Sequence, residues 1–130
     1  MDKMTEVNEW LEIANQDLNS AIFLKKMEPV PFEIICFHCQ QSAEKYLKAF
    51  LVFKNINFPK THDLITILKL CIAINPKFIR IKTNCIRLSE YAVEIRYPYK
   101  LQLDKNLTDL AINDARLIKE LIILNLKNNK

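Results

Sequence analysis

Along this chain apolar positions recur three and four residues apart in four long stretches and one short one, the period of amphipathic helices. The central stretch runs from Phe32 to Phe53. In it Cys36, Cys39, Ala43, Leu47 and Phe50 make a stripe suited to burial, and Gln41, Glu44, Lys45 and Lys48 share the adjoining flank, because residues three or four apart stack on a helix surface. Spacing makes Gln40 and Glu44 neighbours, and likewise Glu44 and Lys48. The flank therefore reads in two ways, as a solvated face laced by these pairs or as a wall that lends polar groups to a site between helices.

The other stretches follow the same rule. Thr5 is placed to cap a first helix with Glu6 and Glu9 near its positive end, and Val7, Leu11, Ala14, Leu18 and Ala21 form its stripe, widened by Trp10 and Ile13, until Lys25-Lys26 and Pro29 close it. Asp17 sits beside Leu18, where its carboxylate either edges the core or faces water. Pro31 suits the first position of the second helix, which should run to about Asn55. Thr61 caps a shorter third helix with Leu64, Leu68 and Cys71 inward, ending at Asn75-Pro76. Those two residues then open a fourth helix whose Phe78, Ile81, Cys85, Leu88, Ala92 and Ile95 keep one register until Pro98 stops it near Arg96. Thr108 and Asp109 start the last helix, with Ala111, Ala115, Ile118 and Ile122 inward and a second apolar row at Leu110, Leu117, Leu121 and Leu124. Two rows suggest burial on two sides, in a crowded core or at a homodimer seam.

Four long helices and one short helix joined by brief Pro/Asn turns predict an all-α, antiparallel up-and-down helical bundle. The 130 residues fit one domain, spanning 1–130, large enough to bury roughly two-thirds of the unfolded surface without metal or disulfide staples. Glycine is absent, which excludes a Gly-rich phosphate loop and a dinucleotide-binding turn, since both need backbone positions that glycine fills most easily. A net charge of +4, spread along the chain, does not by itself demand nucleic acid.

The four cysteines, at 36, 39, 71 and 85, come with no signal peptide and no apolar run approaching the roughly 18 residues of a membrane span, so a reducing cytoplasm and no membrane partner are expected. Cys36 and Cys39 have CxxC spacing but lie inside a helix, and Cys71 and Cys85 are too far apart to complete a zinc site; buried thiols are expected, with no metal and no cofactor. Imidazole chemistry has two candidates. His38 sits mid-helix among apolar neighbours, as a packed histidine does. His62 opens the third helix, where it either decorates an exposed start or meets a phosphate. Arg96-Tyr97-Pro98-Tyr99 joins a planar cation, two aromatic rings and a forced helix end, so Arg96 either caps helix four or holds a phosphate while a tyrosine stacks on a base.

Trp10, Ala14, Asp17-Leu18 and Ala21, then Phe37 through Lys48, then Phe58-Pro59-Lys60-Thr61-His62-Asp63-Leu64, and finally Leu88-Ser89 and Tyr91 with Arg96-Tyr97-Pro98, together resemble the prokaryotic HEPN domain over almost the whole chain. The resemblance implies a helical bundle, a homodimer, a minimal nucleotidyltransferase as partner in a toxin–antitoxin-like pair, and nucleotide or RNA binding. Many catalytic members are metal-independent ribonucleases that use an Arg and a His a few residues later. Here Arg96 matches the Arg, but Tyr97-Pro98-Tyr99-Lys100-Leu101-Gln102 follows, and no histidine occurs after His62.

The expectation from residues and resemblance is a phosphate site joining Arg96, Tyr97, His62, Lys45, Gln41 and Asp17: Arg96 and Lys45 hold phosphate, Tyr97 stacks, and the others hydrogen-bond. One alternative is a ribonuclease that uses Arg96 with His62. Another is a dimeric protein-interaction module in which the polar flank makes only surface ion pairs.

Overall fold

The computed structural model describes residues 2–92 and 103–128, and every regular element among them is helical: α1 (Lys3–Leu24), α2 (Phe32–Phe53), α3 (Leu64–Ile74), α4 (Lys82–Ser89) and α5 (Lys105–Asn128), with a 3-10 helix over Pro76–Ile81 between α3 and α4. The all-α helical fold predicted from the spacing is the fold observed.

The starts of α1, α3 and α5 are set by aspartates rather than by the nearby threonines. Asp2 caps α1, accepting from both the amide and the hydroxyl of Thr5 at 2.9 Å. Asp63, two residues past Thr61, caps α3 through the Ile65 amide at 3.1 Å. Asp104 Oδ1 accepts the Leu107 amide at 2.8 Å, so α5 begins at Lys105 and not at Thr108. A carboxylate accepts these amides with charge assistance, and the helix dipole adds to it.

The fourth helix departs most from expectation. Pro76 and the Asn75 side chain, which accepts the Lys77 amide at 3.1 Å, open a 3-10 helix instead of an α-helix. The α-helical part ends at Ser89, whose hydroxyl donates to the Ile86 carbonyl at 2.7 Å. That bond competes with the backbone ladder at the last turn. The expected end near Arg96 lies outside the described residues.

Helix α2 occupies the centre and touches α1, α3, α4 and α5. Its stripe is fully buried as predicted, with Cys36, Cys39, Ala43, Leu47 and Phe50 all closed to solvent. Small residues let α1 approach closely: the Ser42 hydroxyl donates to the Ala14 carbonyl at 2.8 Å, and Ala14, Ala21 and Ala43 lie in the same core cluster. Contacts between Asp17 and His38, Ala14 and Ser42, and Lys3 and Phe53 show that the two helices run antiparallel. Across the core Phe50 stacks on Phe78 with centroids 4.7 Å apart.

With no glycine to hand, α2 ends on Asn55, at φ 60°. Its amide bonds the Val52 carbonyl at 3.0 Å and the Ile56 amide bonds the Leu51 carbonyl at 2.9 Å, the paired bonds of a Schellman ending, in which Asn is the usual stand-in for Gly. That turn throws residues 56–63 back along α2, and this return passage builds the site described next.

On α5 the inward row Ala111, Ala115, Ile118 and Ile122 is buried, while Leu110, Leu117 and Leu124 face outward, at seven-residue spacing. Leu121, the remaining member of the expected second row, packs against the core, so three of that row's four residues are left on the surface.

Candidate functional site: the polar flank of the central helix

Helix α2 advances 100° per residue, so Gln40, Glu44, Lys48, Gln41, Lys45 and His38 fall in that order across one continuous arc of its surface. The chain covers this arc instead of leaving it in water. Glu44 is 2% exposed and Lys48 6%, which decides against a solvated flank. Two sets of contacts form along the arc.

The first centres on Glu44. Lys48 Nζ donates to Glu44 Oε2 at 2.8 Å, one turn on, and to the Thr61 carbonyl at 3.1 Å. Gln40 Nε2 donates to Glu44 Oε1 at 3.3 Å and to the His62 carbonyl at 3.1 Å, while Gln41 Nε2 donates to Gln40 Oε1 at 2.7 Å. His62 Nδ1 lies 3.1 Å from Glu44 Oε1, yet the imidazole side chain remains 68% exposed. Above Lys48 sit the rings of Trp10 and Phe58, 5.7 and 5.6 Å from its Nζ and edge-on to each other. The result is a buried carboxylate with donors from three directions, closed by two aromatic rings, from which one imidazole reaches the surface. An ionised carboxylate can only accept, so it draws the His62 ring proton to Nδ1 and leaves Nε2 as the solvent-side nitrogen.

The second set centres on Asp17 of α1. His38 Nδ1 donates to Asp17 Oδ1 at 3.0 Å and Lys45 Nζ to Oδ2 at 2.6 Å. Burial of this carboxyl opposes its ionisation, but the hydrogen bonds from His38 and Lys45 and the Lys45 charge outweigh burial and hold Asp17 below the usual carboxylate range. His38 is thus a partly exposed, carboxylate-held histidine rather than a residue packed among apolar neighbours.

The four expected site residues that the structure describes all lie on this flank or against it, but they divide: His62 and Gln41 belong to the Glu44 set, Lys45 and Asp17 to the other. No hydrogen bond or ion pair joins the two sets among the described residues. Lys45 is neutralised by Asp17, and Gln41 is spent on Gln40. Arg96 and Tyr97, the expected phosphate clamp and stacking ring, lie outside the described residues.

Sequence reasoning passed over a third polar cluster. Asp114 of α5, 1% exposed, accepts from Asn84 Nδ2 at 2.8 Å and from Arg87 Nε and Nη2 at 2.9 and 2.7 Å. Its signal was available: Asp114 stands three residues after Ala111 and four before Ile118, an acid on the buried row, and such an acid must have a partner. The fork tightens α4 against α5.

The cysteines offer no competing chemistry. All four are free and buried; burial pushes the Cys36 thiol up to about 11 and Cys85 up to about 12, and raises Cys39 and Cys71 as well. No cluster of His, Cys, Asp and Glu among the described residues could hold a metal ion, and no described helix is long and apolar enough to cross a membrane.

This arrangement of helices has a known counterpart. The family model for the HEPN domain matches residues 7–126. The chain belongs to the HEPN domain family. The crystal structure of an archaeal HEPN homologue superposes with a TM-score of 0.74 at 25% sequence identity, covering 92% of this chain and 96% of that one. No curated protein matches the sequence. The HEPN fold accounts for the bundle and its central helix, and the buried Glu44 set and the Asp17 set lie along that helix.

Proposed function

We propose that this HEPN protein binds the phosphate of a nucleotide or an RNA, as a homodimer working with a nucleotidyltransferase partner in a toxin–antitoxin-like pair. The observation that carries the reading is the Glu44–His62 contact: a buried carboxylate holds the inner nitrogen of an imidazole whose outer nitrogen reaches solvent. When that ring is protonated, Nδ1–H stays on Glu44 and Nε2–H is offered to a phosphate oxygen, a charge-assisted bond with its geometry set in advance. Lys45 and Lys48 already face carboxylates, which shifts the main cationic grip in this reading to Arg96, with Tyr97 as the stacking face. For the dimer, the support is the outward row Leu110, Leu117 and Leu124, whose seven-residue spacing lets two copies of α5 pair across a two-fold axis.

Titration of the protein with ATP and with short RNA, alongside Arg96→Ala and His62→Ala, tests this. Affinity should fall at least tenfold in each variant. Equal affinity in Arg96→Ala removes Arg96 from the site.

The same contact favours one second reading, a metal-independent ribonuclease in which His62 transfers the proton and Arg96 steadies the phosphate. A histidine oriented through Nδ1 by a carboxylate is arranged for general acid–base work at Nε2. RNA left intact by purified protein in EDTA, under conditions where it binds, rejects this reading and leaves the binding function standing.

A further inference from the structure

The groove between α1 and the start of α2 lies on the far side of Asp17 from the Glu44 set. It is a shallow, open groove of about 610 Å³, lined by Glu12, Asn15, Gln16 and Asn19 from successive turns of α1, by Phe23 at its end, and by His38. Its chemistry differs from that of a phosphate site. No lysine or arginine lines it, and one carboxylate does. What lines it is a run of side-chain amides beside an exposed aromatic ring, over which Lys26 Nζ sits 5.8 Å from the centroid and leaves the opposite face for a ligand.

Two of these groups have their roles fixed from behind. His38 Nδ1 donates to Asp17, which Lys45 keeps ionised, so in the neutral ring the proton stays on Nδ1 and Nε2 is an acceptor. Asn15 Oδ1 accepts from Lys119 Nζ at 2.8 Å and from the Tyr46 hydroxyl at 3.3 Å, which engages its carbonyl and leaves the Nδ2 hydrogens as its contribution. Gln16 and Asn19 are exposed and carry a donor and an acceptor each. A fixed acceptor and a fixed donor, amide pairs along the wall and an aromatic face at the end are the parts by which proteins hold a single unstacked base.

The geometry points to a nucleobase-binding groove that takes an unpaired base bearing an exocyclic amino group, adenine or cytosine, from a free nucleoside or from a single strand. The base stacks on Phe23, the amides of Gln16 and Asn19 pair with its edge, and His38 Nε2 and Glu12 accept from its amino group. This rests on the nucleotide or RNA reading above and adds to it a base preference and a second contact region that contains no phosphate-binding residue.

The test uses the full ¹⁵N-labelled chain titrated with adenosine, cytidine, uridine and ribose 5-phosphate, then with short oligo-A and oligo-U, while the side-chain amides of Gln16 and Asn19 and the imidazole nitrogens of His38 are followed by NMR. Adenosine and cytidine should shift these signals saturably, with uridine about tenfold weaker. Phe23→Ala should weaken adenosine about tenfold, the loss of one base–aromatic stack. Glu12→Leu, at an exposed position, should abolish most of the preference over uridine, and Gln16→Ala/Asn19→Ala should weaken adenosine and uridine alike, while the circular dichroism spectra of both variants stay unchanged. Oligo-A binding more tightly than adenosine identifies the strand as the source of the base; equal affinity identifies the free nucleoside. Nucleosides that leave the signals unmoved at millimolar concentration, ribose 5-phosphate moving them equally, or uridine matching adenosine each overturn the proposal. Because nucleosides carry no phosphate, Arg96→Ala should not change their affinity. ATP held through Arg96 with adenosine unbound sinks the groove alone, and adenosine bound with ATP indifferent to Arg96 sinks only the phosphate reading.

Discussion

Replacing Glu44 by alanine should be among the most damaging single changes in this protein. The substitution leaves Lys48, 6% exposed, without its carboxylate at 2.8 Å, and it strips Gln40 and His62 of their shared acceptor. Breaking a buried ion pair from one side costs about 3–5 kcal/mol. Here the Thr61 carbonyl and the two rings over Lys48 still receive the ammonium, which returns part of that cost, so about 3 kcal/mol is expected. For a chain of this size that lowers the melting midpoint by roughly 10 °C. Glu44→Ala/Lys48→Met removes both charges and should recover to within about 1 kcal/mol of wild type, about 2 kcal/mol less destabilised than Glu44→Ala alone. Urea unfolding followed by far-UV circular dichroism on the four proteins of this cycle measures both figures. A single-mutant loss below about 1 kcal/mol, or a double mutant equal to the sum of the singles, would refute the reasoning that this pair is buried and mutually dependent.

Three further outcomes follow from the geometry. Asp17, its carboxyl held low by His38 and Lys45, stabilises the fold above the unfolded carboxyl value of about 4 and loses that contribution as pH falls through the lower folded value; Asp17→Asn should flatten the fall in urea midpoint below about pH 4 and cost about 1 kcal/mol at pH 7. Asp114→Ala leaves Asn84 and the Arg87 fork without their acceptor and should cost about 3 kcal/mol in the same assay, with Asp114→Asn intermediate; no loss in either would mean that the cluster is dispensable. None of the four thiols should react with Ellman's reagent at pH 8 in the native protein, and all four should react in guanidinium, because burial pushes the Cys36 thiol up to about 11 and raises the other three. Fast native labelling at Cys36 would contradict its closed environment.

The helices were legible because each carries an apolar row at helical spacing, a local property that survives in sequence. Their exact starts were not, since Thr5 stands three residues from Asp2 and Thr61 two from Asp63, and the stronger acceptor of each pair took the cap. The break in the fourth helix was hidden because Phe78, Ile81, Cys85 and Leu88 are spaced compatibly with either a continuous α-helix or a 3-10 segment leading into one. At the site, the pairs Gln40/Glu44 and Glu44/Lys48 were readable from four-residue spacing, and both hydrogen bonds form. What spacing could not show is their burial, which depends on residues 56–63 folding back over the flank after the Asn55 turn, a contact between segments distant in sequence. The partners of Asp17 were hidden for the same reason: His38 and Lys45 lie on another helix, 21 and 28 residues away.

That return passage has a consequence for motion. Residues 56–63 are fastened through Lys48 on the Thr61 carbonyl, Gln40 on the His62 carbonyl and His62 on Glu44, with Ile56 and Phe58 packed against the core at the start of the passage. Lifting them would hydrate Glu44 and Lys48 together, and water solvates both ions well, so the enthalpy of the opened state is partly returned by ion hydration. The passage should therefore open as one unit at a free energy well below global unfolding, carrying His62 with it. In amide exchange it would form a low-stability island on the protected surface of the central helix.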